Sequence, residues 1–401
     1  MISIEDARAR ILAAFAPVGA ETVALAEACG RISAAAVIAR RTQPPADVSA
    51  MDGYAVRAED ARDGATLRVI GSAPAGHPFA GRIGAGETVR IFTGSILPEG
   101  ADAVLLQEDA EAEGETVRVR ESARPGRHIR RMGEDFARDE PIIAAGRRLS
   151  PRDIGLAAAA NHPWLQVHRR PRVAVLATGD EIALPGEPIP QGGIVSSNAH
   201  ALAAMLTSLG AVASVLPIAA DDPDAIAQAA DAARGFDLLL TTGGASVGAH
   251  DLVQAGLARR GFAVDFWKIA MRPGKPLMFG RLGEMPVLGL PGNPVAAFVC
   301  GLLFVRPAVL RLAGLAGAPL PMVTAETATS LAANDRRFDF LRARLRDEPG
   351  GRCVVEAFAV QDSAMQAVLA RADALILRPP FAPALAAGAA VEIIRFDRLG
   401  L

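Results

Sequence analysis

Cysteine is scarce: the 401-residue sequence has only Cys29, Cys300 and Cys353, and no two of them form a C-x-x-C pair. That excludes a disulfide framework and a thiolate metal site, and it suits a reducing compartment. Net charge is also scarce, at -2, which excludes a protein that grips nucleic acid or an anionic membrane by charge alone and leaves only a local basic site open. Long apolar runs are missing too. The longest, VAAFVCGLLFV at 295–305, has eleven residues and is too short to span a bilayer. The opening MISIEDARARILAAF, with Glu5 and Asp6 in its first turn, reads as an amphipathic helix capped by Ser3 and not as a signal peptide, so a cytoplasmic location is expected. Absent as well are H-E-x-x-H, a defensible Ser-His-Asp set, the G-K-[ST] of a Walker A loop and the G-x-G-x-x-G fingerprint.

What is present is core-forming sequence. Hydrophobic residues make up 51% and charged residues 21%, enough for two to four globular domains and not for a disordered or coiled-coil chain. Residues 1–48 read as helical and end at Pro44 and Pro45, which stop a helix. Short β-rich segments then follow to 135: TLRVIGSA, ETVRIFTGS, DAVLLQED and ETVRVRES. SPRDIGLAAAANHP (150–163) returns to helical composition, so 1–48 and 136–171 are predicted to form one split helical linker domain around a β-rich domain at 49–135. From Arg172 strands alternate with helices, the pattern of a parallel-sheet α/β domain over 172–319. FDFLRARLRD, CVVEAFAV, ALILRP and AAVEIIRF make 320–401 a C-terminal β domain. The fold class is therefore multidomain, α/β plus β-rich.

In an α/β sheet, ligands sit outside the carboxyl ends of the strands. The loops there are TGDE (178–181), ADD (220–222), TTGGASVGAHD (241–251), KIAMRPGKP (268–276) and LPGNP (290–294). They carry Asp180, Glu181, Asp221, Asp222 and Asp251 together with Lys268, Arg272 and Lys275. Carboxylates without nearby Cys or His suit a hard cation such as Mg²⁺, and the cations suit a polyanion, a combination that fits a phosphate ester. Gly243 and Gly244, with Ser246, can bring backbone donors close to an anion or can simply turn the chain. Asp180, Asp222 and Asp251 can each equally cap the next helix, for about 1 kcal/mol.

Seven segments then match a family in order: SAMDGYA (49–55), IFTGSILPEGADAV (91–104), HIRRMGED (128–135), ATGDE (177–181), TTGGASVGAHD, KIAMRPGKP and LPGNPV (290–295). The chain resembles the molybdopterin molybdenumtransferases of the MoeA type, related to the C-terminal part of gephyrin, over nearly its whole length. The resemblance implies a homodimer of four-domain subunits, with an adenylyltransferase-like α/β domain and a C-terminal β-barrel-like domain. It implies molybdenum insertion from molybdate into adenylylated molybdopterin, with Mg²⁺-dependent release of AMP. The adenylyltransferase and molybdoenzyme acceptors are the implied protein partners, with no nucleic acid and no membrane. It points to Glu181, Asp221 and Asp251 as active-site and metal-binding carboxylates, and to Lys268, Arg272 and Lys275 as binders of phosphate or molybdate. Asp52, Thr93 and Asp135 match positions that reach the cleft, partly from the other subunit. Pro291 and Pro294 shape a loop, and Arg342 and Ser363 correspond to molybdate contacts. Two positions depart from the family pattern: Arg272 stands where many members have Lys, and Ala296 where Ser is common. The rival activities are adenylylation of molybdopterin by ATP and a non-catalytic dimeric scaffold.

Overall fold

The computed structural model describes residues 1–243, 252–315, 317, 319–349 and 351–400. Its centre is built by alternation along the strand Arg172–Ala177. Val173, Val175 and Ala177 face one side with Leu238, Leu240, Leu288 and Leu290. Ala174 and Leu176 face the other with Leu239, Val287, Ile226 and Val253. Both faces are covered by helices, which is why these strands read as continuous apolar runs and not as alternating ones. The six-stranded sheet has the order Val212–Val215, Arg172–Ala177, Leu238–Thr242, Met285–Leu290, Met278–Leu282, Phe262–Trp267. Its first four strands are parallel. Met278–Leu282 runs antiparallel to both its neighbours, joined to Met285–Leu290 by a two-residue hairpin over Gly283 and Glu284.

Strand order positions the site. After Arg172–Ala177 the chain returns on one side as Val212–Val215, then crosses to the other side as Leu238–Thr242. That reversal opens a crevice at the carboxyl ends of Arg172–Ala177 and Leu238–Thr242, where TGDE and Gly243 emerge. The helix Pro294–Cys300 continues through a π-helical turn, Gly301–Val305, into Arg306–Leu312. This stretch is long and apolar enough to cross a membrane, yet 83% of its most apolar window is buried inside the protein, so it is a core helix. The helix Ile4–Ala13 is capped by Ser3, whose hydroxyl accepts from Asp6 N at 3.0 Å. It packs Ala7 and Ile11 into this same core.

The first segment is thus expected in the linker domain but lies on the α/β domain, because its apolar face matches the long core helix. The linker domain itself is less helical than its alanine content suggests. It joins the antiparallel strands Ala20–Ala24 and Trp164–His168 with the helices Leu25–Ala28 and Pro151–Ala159 around Val23, Val37, Leu149 and Val167. The four expected strands of the β-rich domain are present as Thr66–Ala73, Glu87–Ile91, Ala103–Leu106 and Thr116–Val119, in a six-stranded sheet completed by Gly53–Val56 and Ala110–Glu113. The C-terminal domain closes into a five-stranded barrel of Phe338–Glu348, Arg352–Ala357, Met322–Thr327, Ala390–Arg395 and Ala374–Arg378. Onto it the α/β domain adds a strand of its own, Met271–Arg272, parallel to Phe338 and Asp339. That pairing fixes where the barrel stands relative to the strand-end loops.

Candidate active site

Two cavities flank the LPGNP loop, and both are lined by Gly292 and Asn293. The first, about 460 Å³, lies at the sheet crevice and is lined by Glu181, Ser196, Ser197, Asn198, Thr242, Gly243 and Pro294. The second, about 670 Å³, lies between the α/β domain and the barrel and is lined by Arg272, Gly274, Lys275, Pro291, Arg337, Gln361, Asp362 and Ser363.

Close approach shapes the first cavity. Gly243 has φ +97°, and a Cβ there would stand 2.3 Å from the Thr178 carbonyl oxygen, so only glycine lets the two strand ends meet. Asn198 donates from Nδ2 to Thr242 Oγ1 at 3.0 Å and to the Gly292 carbonyl at 2.7 Å, tying the Leu238–Thr242 strand end to the LPGNP loop. Glu181 is exposed and folds back over Gly179. Asp221 is exposed nearby, its N–H donating to Asp180 Oδ1 at 3.0 Å, but it lines neither cavity. Asp222 is a helix cap, accepting from Asp224 N and Ala225 N at 2.9 and 2.8 Å. Gly244, Ser246 and Asp251 lie outside the described residues.

The second cavity is cationic, and its cations are not equivalent. The Arg272 guanidinium pairs with Asp339 and, at 3.5 Å, with Asp335, and these bonds hold its pKa above the usual arginine value, Asp339 first among them. Arg337 pairs with Asp335 at 3.1 Å, and Asp335 is held below the ordinary carboxylate range chiefly by the Arg337 N–H. Among the described residues Lys275 has no such carboxylate partner. Gly274, at φ +109°, lets the R-P-G-K loop pass over Cys300, whose sulfur would lie 2.7 Å from a Cβ there.

Other expected residues lie apart from these cavities. The Lys268 ammonium sits 4.7 Å from the centre of the Trp267 ring and lines neither. Asp52 and Thr93 meet each other in the β-rich domain: Thr93 donates to Asp52 Oδ1 from both its N–H and its hydroxyl at 2.7 Å. Those two bonds, the backbone one first, lower the Asp52 pKa. Asp135 stands on a loop, its N–H on the Gln43 carbonyl at 3.1 Å. Arg342 is set apart from both cavities. It is 1% exposed, on the face of its strand opposite the barrel-core residues Leu341 and Ala343, donating to Gln361 Oε1 and to the Val360 and Met365 carbonyls, so it shapes the loop that carries Ser363 and lines neither cavity. A guanidinium at a strand position of a closed barrel is desolvated, and burial pushes its pKa down; the backbone carbonyls around it compensate. The side chains of Asn198, Asn293, Arg337 and Gln361 were not singled out from the sequence.

Oxygen donors for a cation are few. Among the described residues no three Asp, Glu, His or Cys side chains converge as a metal cage. Glu181 and Asp221 flank the crevice mouth as one or two carboxylates, which is the donor set Mg²⁺ uses when substrate phosphates and waters complete its shell.

Fold and cavities define a multidomain protein with a candidate site at an α/β switch point, beside a separate barrel. Family models agree part by part: the MoeA N-terminal region (domains I and II) matches residues 2–161, a probable molybdopterin binding domain matches 174–311, and the MoeA C-terminal region (domain IV) matches 324–396. The chain is 34% identical to a molybdopterin molybdenumtransferase of Haemophilus influenzae over the whole of both chains. It is 36% identical to molybdopterin molybdenumtransferase 2 of Mycobacterium tuberculosis over 93% of this chain and 94% of that one. The crystal structure of a molybdopterin biosynthesis MoeA protein from Pyrococcus horikosii superposes with a TM-score of 0.86 at 30% identity, covering 99% of each chain. The chain belongs to the MoeA-type molybdopterin molybdenumtransferase family.

Proposed function

We propose that this chain is a cytoplasmic, homodimeric molybdopterin molybdenumtransferase that inserts molybdenum from molybdate into adenylylated molybdopterin and releases AMP. The observation that carries the reading is the pair of cavities joined at Gly292 and Asn293, one at the sheet crevice and one lined by Arg272, Lys275, Arg337 and Ser363. An adenylylated pterin is a long, polar ligand with a pyrophosphate, and it suits the crevice. A small tetrahedral oxyanion suits the cationic cavity beside it. Lys275 stabilises negative charge on the oxyanion, with Arg272 and Lys268 contributing to the basic loop. Gly243, with Gly244 and Ser246, brings backbone to the substrate phosphates.

Glu181, Asp221 and Asp251 are the residues that would hold Mg²⁺, which when bound neutralises charge on the pyrophosphate as it is cleaved. Pro291 and Pro294 fix the loop between the cavities. Asp52, Thr93 and Asp135 complete the site from the partner subunit, a role consistent with an Asp52 that lines neither cavity of its own chain. Purified protein, adenylylated molybdopterin and molybdate should yield AMP. If ATP is consumed with molybdopterin instead, the chain is an adenylyltransferase and the proposal is wrong.

A further inference from the structure

Asn293 occupies the N-cap position of the helix Pro294–Cys300, where an Asn side chain ordinarily accepts a backbone N–H of the first turn, yet it makes no cap bond. Its amide instead crosses to the barrel, donating from Nδ2 to Ser363 Oγ at 2.8 Å. The bond is reciprocated by the backbone: Val295 N, which a capping side chain would otherwise satisfy, donates to the Ser363 carbonyl at 3.0 Å. One barrel residue therefore caps an α/β helix while a helix-start residue holds its hydroxyl. The clasp sits where the two cavities meet, since Asn293 lines both and Ser363 lines the cationic one.

The direction of the side-chain bond matters. A serine hydroxyl has one hydrogen and two lone pairs. Asn293 fills a lone pair, and its NH₂ cannot accept, so the hydrogen of Ser363 must point elsewhere. Gln361 Oε1 takes the N–H and Nε of Arg342 at 2.9 and 3.3 Å, and Asp362 Oδ1 takes Ala364 N at 2.8 Å. No described acceptor takes the Ser363 hydrogen. Space beside it is the cavity that carries Lys275. We infer that Asn293 is a positioning residue that fixes Ser363 as a hydrogen-bond donor to the oxyanion, making the cationic cavity select a ligand that only accepts. This rests on the reading above that places molybdate in that cavity.

The test varies molybdate in the AMP-release assay for wild type, S363A, N293A, N293D and the two double variants carrying S363A. Loss of one hydrogen bond to an anion predicts a KM for molybdate raised about tenfold in S363A and about three- to tenfold in N293A, with KM for adenylylated molybdopterin unmoved. N293A/S363A should be no worse than S363A. N293D keeps the shape and can hold Ser363 by the reversed bond, so a purely structural clasp predicts near-wild-type behaviour. The donor role predicts a KM for molybdate above that of N293A, and a much smaller effect of N293D once Ser363 is alanine. If the N293A and S363A effects multiply, or if N293A lowers the melting temperature without moving KM for molybdate, the role of Asn293 is overturned. If S363A alone leaves the molybdate dependence unchanged, the placement of the oxyanion fails first and the inference about Asn293 falls with it.

Discussion

Removing the Arg272 guanidinium should cost more stability than removing its partner Asp339, although both changes break the part-buried ion pair between them. The Asp339 side chain is 5% exposed against 50% for Arg272. Its Oδ1 already has no hydrogen-bond partner among the described residues. Arg272→Ala therefore strands a buried carboxylate with neither oxygen paired, for which a fully buried case would cost about 3–5 kcal/mol. Arg272 is half in solvent, and water fills part of the space it vacates, so about 1–3 kcal/mol is expected. Asp339→Ala removes the buried charge together with its desolvation cost, and Arg272 keeps Asp335; about 1 kcal/mol or less is expected. Because Arg272 lies on the strand that joins the barrel to the α/β domain, the loss should concentrate at that junction. Urea denaturation of both variants gives the ordering, and hydrogen exchange over 338–345 gives the location. Equal losses, or a larger loss in D339A, would refute the account of the pair as a cation retained to compensate a buried acid.

Other expectations follow from single residues. Lys275→Ala should raise the KM for molybdate by about tenfold or more, since a charge-assisted contact is lost, and should cost little stability because Lys275 has no described carboxylate partner; steady-state kinetics and a melt separate the two. Gly243→Ala should be severely destabilising, by several kcal/mol on the order of a strained φ plus a backbone clash, or should open the crevice and abolish AMP release; a soluble, fully active variant contradicts the tight strand-end packing. Asp52 is held below its ordinary pKa by Thr93, so the stability it contributes is present above about pH 4 and is lost as pH falls through the lowered folded value. The difference between wild type and Asp52→Asn, followed by melting from pH 7 to 3, should therefore shrink toward acid; a difference that grows below pH 4 contradicts the assignment.

Much of the scaffold was readable because its signals are local. TLRVIGSA, ETVRIFTGS and AAVEIIRF declare strands by composition and punctuation, and Ser150 with Asp153 forms the capping box that starts the helix Pro151–Ala159. Domain membership was harder. ISIEDARARILAAF is a helix on its own evidence, but which core takes Ala7 and Ile11 depends on the partner helix some three hundred residues later. The linker domain misled in the same way: alanine content favours helix, and the pairing of Ala20–Ala24 with Trp164–His168 is a long-range contact that no window of sequence contains.

The site divides along the same line. Strand-end loops carrying Glu181, Gly243, Arg272, Lys275 and Pro291 were legible, since topology alone sends them to one end of the sheet. Whether a charge is free to act was not. Arg272 and Lys275 look alike in R-P-G-K, and only the barrel's Asp335 and Asp339 separate them. Arg342 likewise looks like an exposed cation until the 360–365 loop takes up its guanidinium. Asn293 and Asn198 read as ordinary helix starts because a hydrogen bond across domains leaves no periodic trace.

The most direct test of the central claim is AMP release from adenylylated molybdopterin, measured with and without molybdate and with no ATP present. The account predicts that AMP appears with Mg²⁺ on addition of molybdate and that molybdenum becomes protein-bound with it in equal amount. No AMP under those conditions, or AMP release that ignores molybdate, would contradict it.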